Sequence, residues 1–171
     1  SSARVIAVIG LENPAAPHNP EEPPLTEYRR IAQEHFLHIE YFRVPPRADE
    51  ELAAQPRRFL HKVFHTLSGA GNYFDVFNYP PGTAYIDAMA EPPPLPWPWL
   101  SELELEFFVS EYSRSGFTGG LNWYRSFDLK WAQRKPFEGV QSAVPAYFLG
   151  SENDVDLEGF HGDDPIAQMR A

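Results

Sequence analysis

The sequence predicts an α/β protein in which two parallel core strands flank an inserted helical domain. Arg4-Val-Ile-Ala-Val-Ile-Gly10 and Val144-Pro-Ala-Tyr-Phe-Leu-Gly150 are short, nearly continuous apolar runs. Runs without alternation are strands buried on both faces, as in a parallel sheet. The residues between them are mostly spaced as helices. Two buried strands cannot form a sheet alone; they need neighbouring strands and helices over both faces. The expectation is an interior piece of a larger α/β protein. Core segments fall at 1–13 and 140–171, and a helical cap fills 14–139.

Asn13 to Leu25 holds Pro14, Pro17, Pro20, Pro23 and Pro24 and reads as a hinge. Thr26 to Phe42 reads as one helix, with Tyr28, Ile31, His35, His38 and Phe42 along one stripe. Pro45-Pro46 closes it. Ala48 to Leu67 is helical in two pieces, broken before Pro56, with Gly69 as the stop. Ala70 to Trp99 reads as a long loop rich in aromatics and proline. Ser101 and Glu104 form a capping box, opening a helix that runs to about Ser115 and ends at Gly116. Gly119-Gly120 precedes a last helix, Leu121 to Gln133.

At ~150 residues per domain, 171 residues make about one domain. A hydrophobic share of 43% supplies its core, and 18 prolines argue for long loops over long helices. The net charge of −10 with scattered basic residues argues against nucleic acid as a partner, because that binding needs clustered positive charge. No run approaches the ~18 apolar residues of a spanning helix, so no membrane partner is expected. The absence of cysteine excludes disulfides, thiol catalysis and Cys-ligated zinc.

Several short motifs read better as structure than as sites. Ser68-Gly-Ala-Gly71 lacks the third glycine and preceding strand of a phosphate cradle. Asp154 to Gly159 opens like a calcium loop, but its twelfth position is Pro165 where a bidentate Glu belongs. His161-Gly-Asp-Asp164 has no ligand pair at helical or strand spacing. Pro93-x-x-Pro96 beside Trp97 and Trp99 resembles a polyproline ligand, yet it lies inside a folded context and reads as a rigid loop. His38 and Tyr124, each taken alone, read as core residues on helical stripes.

One stretch changes that balance. Gly116-Phe-Thr-Gly-Gly-Leu-Asn-Trp-Tyr-Arg125, continued by Asp128 and Trp131, closely resembles the cap of epoxide hydrolases with the α/β-hydrolase fold. Val144 to Asp154 looks like the strand and loop that deliver the family's triad acid. The resemblance implies a partial α/β-hydrolase fold and a small-molecule epoxide as substrate, with no cofactor. Tyr124 then matches one of two groups that hold the epoxide oxygen. Leu37-His-Ile-Glu-Tyr-Phe42 places His38 where the second, usually a tyrosine, would stand. A His/Tyr pair resembles the Cif-like subgroup. For the triad acid, Asp154 matches the usual place after the second strand, and Glu12 stands near the alternative place after the first.

The residue types suit the implied chemistry. An Asp carboxylate attacks an epoxide carbon and forms an ester. Two donors stabilise the charge on the departing ring oxygen. A His–acid pair then activates water to hydrolyse the ester. These residues hold no small-x-Asp-x-Gly nucleophile turn and no Gly-His-Trp-like segment, so the chain alone is expected to be inactive. Two other readings remain at this point. A haloalkane dehalogenase of the same fold would use Asn122, Trp123 or Trp131 on a halide. A non-catalytic module would bind a partner through its Pro-Trp loop.

Overall fold

The structure, a computed structural model, describes residues 21–137 and Val140. Both expected strands lie outside these residues, as do the Asp154–Gly159 and His161–Asp164 stretches. The described residues fold into eight helices: α1 (Pro24–Ile31), α2 (His38–Arg43), α3 (Arg47–Ala54), α4 (Pro56–Thr66), α5 (Tyr85–Ala88), α6 (Glu102–Ser115), α7 (Thr118–Arg125) and α8 (Phe127–Arg134). Short 3-10 turns cover Tyr73–Asn78 and Lys135–Phe137. No helix among the described residues is long and apolar enough to cross a membrane.

The main core gathers Phe36, Phe42, Leu52, Val76, Ile86 and Leu105 from nearly every segment. A smaller cluster of Leu25, Leu37 and Ile39 lies beside it. Tyr124 and Phe77 touch both clusters and so join them. α4 packs on α6, α2 on α7, and α1 on α8.

The single helix expected over Thr26 to Phe42 is two. α1 unwinds after Ile31, Leu37 turns to extended backbone (φ −136°, ψ 117°), and α2 begins at His38. The apolar stripe is continuous in sequence, but a tertiary bond wins: the Phe36 N–H donates to the Tyr79 carbonyl at 2.7 Å. That bond drops the Phe36 ring into the core, where it is 2% exposed. The start of α1 is also held from a distance. Pro24 occupies its first turn, and the Leu25 N–H donates to Asp128 Oδ1 of α8 at 3.1 Å.

The two-piece helix before Leu67 forms as expected, with α4 starting at Pro56. Behind it, Gly71 folds against the end of α4. A Cβ at Gly71 would fall on the His65 carbonyl oxygen and 2.8 Å from Thr66 Cα. This stretch needs glycine for that close approach, and no phosphate is required to explain it.

Ala70 to Trp99 is less of a loop than expected. It contains the 3-10 turn and α5, and it sends Tyr73, Val76, Tyr85, Ile86, Ala88 and Met89 into the core. Elements this short leave too few turns for periodicity to register. Lys62 of α4 anchors the segment from below. The residue is 3% exposed, and its ammonium donates to the carbonyls of Ile86 (2.8 Å) and Met89 (2.9 Å). It also pairs with Glu91 at 2.7 Å. Farther along, the Trp97 indole N–H donates to the Pro93 carbonyl at 3.1 Å, and its ring stacks on His61 at 5.0 Å. The Pro-Trp segment is thus a rigid loop laid on α4.

The capping box at the head of α6 forms in full. Ser101 Oγ accepts from the Glu104 N–H at 3.3 Å, and Glu104 Oε2 accepts from the Ser101 N–H at 2.7 Å. Gly116 ends the helix at φ +71°, a value glycine adopts without strain. α6 presents Leu103 and Phe107 to solvent beside Trp99, so its outer face is an open apolar groove.

The last helix expected, Leu121 to Gln133, is also two and starts earlier. Phe117 docks between Phe59 and Tyr112, which lets α7 begin at Thr118 with Gly119 and Gly120 in its first turn. The break falls at Ser126, whose hydroxyl donates to the Trp123 carbonyl at 2.9 Å and competes with the helix ladder.

Candidate active site

His38 and Tyr124 are far apart in sequence and meet in space. His38 is the first residue of α2, and Tyr124 lies in the last turn of α7. Their rings meet edge to face, with centroids 5.7 Å apart and planes at 88°. Phe42, one turn after His38, packs on Tyr124 at 4.8 Å, so α2 contacts the tyrosine twice.

Among the described residues, three aromatic rings besides Tyr124 stand against His38. Phe42 stands at 5.9 Å, Tyr73 at 5.5 Å and Tyr85 at 6.2 Å. The Tyr73 hydroxyl is hydrogen-bonded to His38 Nδ1. Burial among these rings pushes the His38 pKa down to about 3, so the imidazole is neutral at physiological pH. Burial also pushes the Tyr85 hydroxyl well above its ordinary value. His38 is therefore a neutral imidazole in an aromatic setting.

An ionic clamp fixes α7 against α2 and α3. Arg125, next to Tyr124, pairs with Asp49 of α3, and its Nε donates to the Phe42 carbonyl at 3.2 Å. Asp49 also accepts from Thr118 Oγ1 at 2.6 Å. The Arg125 guanidinium holds the Asp49 carboxyl below the usual carboxylate range. In the sequence, Arg125 carries no sign of this task, and neither Asp49, Tyr73 nor Tyr85 stands out. The tyrosines sit in a segment without helical period, and nothing local pairs Asp49 with Arg125. Glu12 and Asp154 both lie outside the described residues. Among the described residues, no group of three His, Asp or Glu is arranged to hold a metal.

The comparisons point one way. No family model matches the chain. It is 37% identical over 153 residues to epoxide hydrolase A of Mycobacterium tuberculosis, covering 88% of this chain and 47% of that protein. It is 30% identical over 154 residues to epoxide hydrolase 3 of Siraitia grosvenorii, covering 89% and 46%. Among solved structures, an epoxide hydrolase from an endophytic Streptomyces superposes with a TM-score of 0.71 at 31% identity, covering 79% of this chain and 41% of that one. Epoxide hydrolase A from Mycobacterium thermoresistibile superposes with a TM-score of 0.64 at 35% identity, covering 73% and 39%. The chain belongs to the epoxide hydrolases of the α/β-hydrolase family. It spans just under half the length of these two curated relatives.

Two residues that the dehalogenase reading would set on a halide face outward. Asn122 is exposed and accepts from Arg125 Nη1 at 3.3 Å. Trp123 is 46% exposed, with the Lys130 ammonium 3.6 Å over its ring. The Trp131 ring carries the Lys135 ammonium at 4.6 Å. Tyr124 is the member of the Asn-Trp-Tyr-Arg run that turns toward His38.

Proposed function

We propose that this chain supplies the oxygen-binding cap of an enzyme that opens epoxides to vicinal diols. The cap spans 14–139, and 1–13 and 140–171 belong to the α/β core beneath it. The observation that carries this reading is the contact between His38 and Tyr124, delivered by separate helices into one aromatic cluster. The His/Tyr pairing favours the Cif-like subgroup.

In this mechanism an Asp carboxylate attacks one epoxide carbon, the C–O bond breaks, and an ester forms. The nucleophile comes from sequence outside this chain, since these residues contain no small-x-Asp-x-Gly turn. The Tyr124 hydroxyl and a His38 N–H stabilise the ring oxygen as it gains charge, and Tyr124 protonates it. Water activated by a His–acid pair then cleaves the ester, releasing the diol and restoring the carboxylate, and the proton taken from water returns by way of the His to Tyr124. The acid is Asp154, with Glu12 as the alternative. By itself the 171-residue chain is inactive.

The test uses the full-length enzyme containing these residues and an aryl epoxide. Tyr124→Phe should lower kcat by ~10²–10³-fold, the usual cost of losing one donor to a developing oxyanion. His38→Gln should lower it as well. Unchanged turnover in both variants would overturn the reading.

A further inference from the structure

The imidazole of His38 can help an epoxide oxygen only if the nitrogen facing that oxygen carries a proton. A neutral imidazole has one N–H donor and one lone-pair acceptor. Which nitrogen keeps the proton is set by the partner of the other one. The structure supplies that partner, because Nδ1 is bonded to the Tyr73 hydroxyl.

We infer that Tyr73 is a positioning residue that donates its hydroxyl proton to His38 Nδ1 and so fixes the histidine as the Nε2–H tautomer. The inference rests on the reading of His38 as an oxygen-binding group and adds the device that orients it. Two observations support the direction of the bond. The first is chemical: an imidazole lone pair is a better acceptor than a phenol oxygen, whose electrons are shared with its ring. The second is the neutrality of His38, maintained by burial, since a doubly protonated ring would have no lone pair at Nδ1.

The geometry suits a fixed support. Tyr73 is 2% exposed and packs edge to face on the imidazole at 81°. Its ring is also wedged against Phe74 and Phe77. The side chains facing His38 from the neighbouring elements are Phe42 of α2, Tyr73 of the 3-10 turn, Tyr85 of α5 and Tyr124 of α7. None of these described neighbours carries a formal charge while its hydroxyl is protonated, and the hydrogen bond at Nδ1 comes from Tyr73.

The direct test is long-range proton–nitrogen NMR on the full chain labelled with 15N at histidine. The expected His38 signature is a neutral ring with Nε2 protonated and a hydrogen-bonded Nδ1 lone pair. A proton on Nδ1 in the unmodified protein overturns the inference with no variant needed. Tyr73→Phe keeps the ring and removes the hydroxyl. In that variant the two tautomers should mix, and in the full-length enzyme kcat should fall ~10–100-fold with KM little changed. A Tyr73→Phe protein that stays Nε2-protonated with unchanged kcat also overturns it. If His38→Gln and Tyr124→Phe leave turnover intact, the functional reading fails instead, whatever the tautomer.

Discussion

Arg125 of α7 grips Asp49 of α3 with two nitrogens, at side-chain exposures of only 16% and 21%. The third guanidinium nitrogen, Nε, holds the Phe42 carbonyl of α2. Three helices therefore meet at one charge pair beside Tyr124. Asp49→Ala would leave a half-buried guanidinium without its carboxylate and Thr118 without its acceptor. The expected cost is ~2–3 kcal/mol, in line with charged hydrogen bonds that are partly desolvated. Urea unfolding reads this directly. A loss below ~0.5 kcal/mol would place the pair among ordinary surface ion pairs.

Acid should weaken the fold through His38. Its folded pKa, about 3, lies below the ordinary value of 6.5. Between those values the unfolded chain binds more protons, so stability is complete above pH 6.5 and is lost as pH falls toward 3. The loss at pH 5 is at most ~2 kcal/mol. Asp49 and Glu91, held low by Arg125 and Lys62 respectively, act in the same direction at lower pH. Melting temperatures across pH 4–8 for the parent and His38→Gln separate the contributions. The variant should show a flatter curve between pH 5 and 6.5.

Gly71 tests the reading of the Ser68–Gly71 stretch as a packing device. A Cβ there collides with the backbone of α4, which cannot yield as a flexible side chain would. Gly71→Ala should destabilise the chain by ~1–3 kcal/mol, the range for overpacking. Gly119→Ala is the control, because its Cβ meets nothing within 4 Å. That variant should be neutral or slightly stabilising, as alanine is the better helix former. Chemical denaturation of the two variants side by side would show the contrast, and equal effects would contradict it.

How much of this was legible in the sequence follows from the range of each interaction. The α6 capping box and its Gly116 stop are written within a few residues, and both appear where expected. The break before Pro56 is equally local. The single helix expected over Thr26 to Phe42 divides in the structure because the Phe36–Tyr79 backbone bond links segments distant in sequence. The same holds for the Ala70–Trp99 segment, which Lys62 ties down from another helix. At the candidate site, His38 and Tyr124 were found through a resemblance, since each alone sits on an ordinary stripe. Tyr73 carries no local sign of its bond to His38 and became visible only with the packing.

Lys62 offers a fourth measurement. Its ammonium fills the space under α5 and caps two carbonyls there. Lys62→Met keeps much of the volume and leaves both acceptors buried without their donor. A cost of ~2–3 kcal/mol is expected. Hydrogen exchange should show the Tyr85–Met89 backbone opening before the rest of the core. Protection unchanged in that segment would mean the carbonyls find other partners.

The His38–Tyr124 span has an unusual character as a dimension. No stretch of backbone sets it, because the two residues ride on different helices. It is set like the jaw of a caliper, by the thickness of what lies between α2 and α7, chiefly Phe42 and the Arg125 arm. Helix separations follow the bulk of the side chains at their contact. Trimming or enlarging Phe42 therefore resets the jaw without replacing either ring. Phe42 and Arg125, which lend neither ring, hold the adjustment screw.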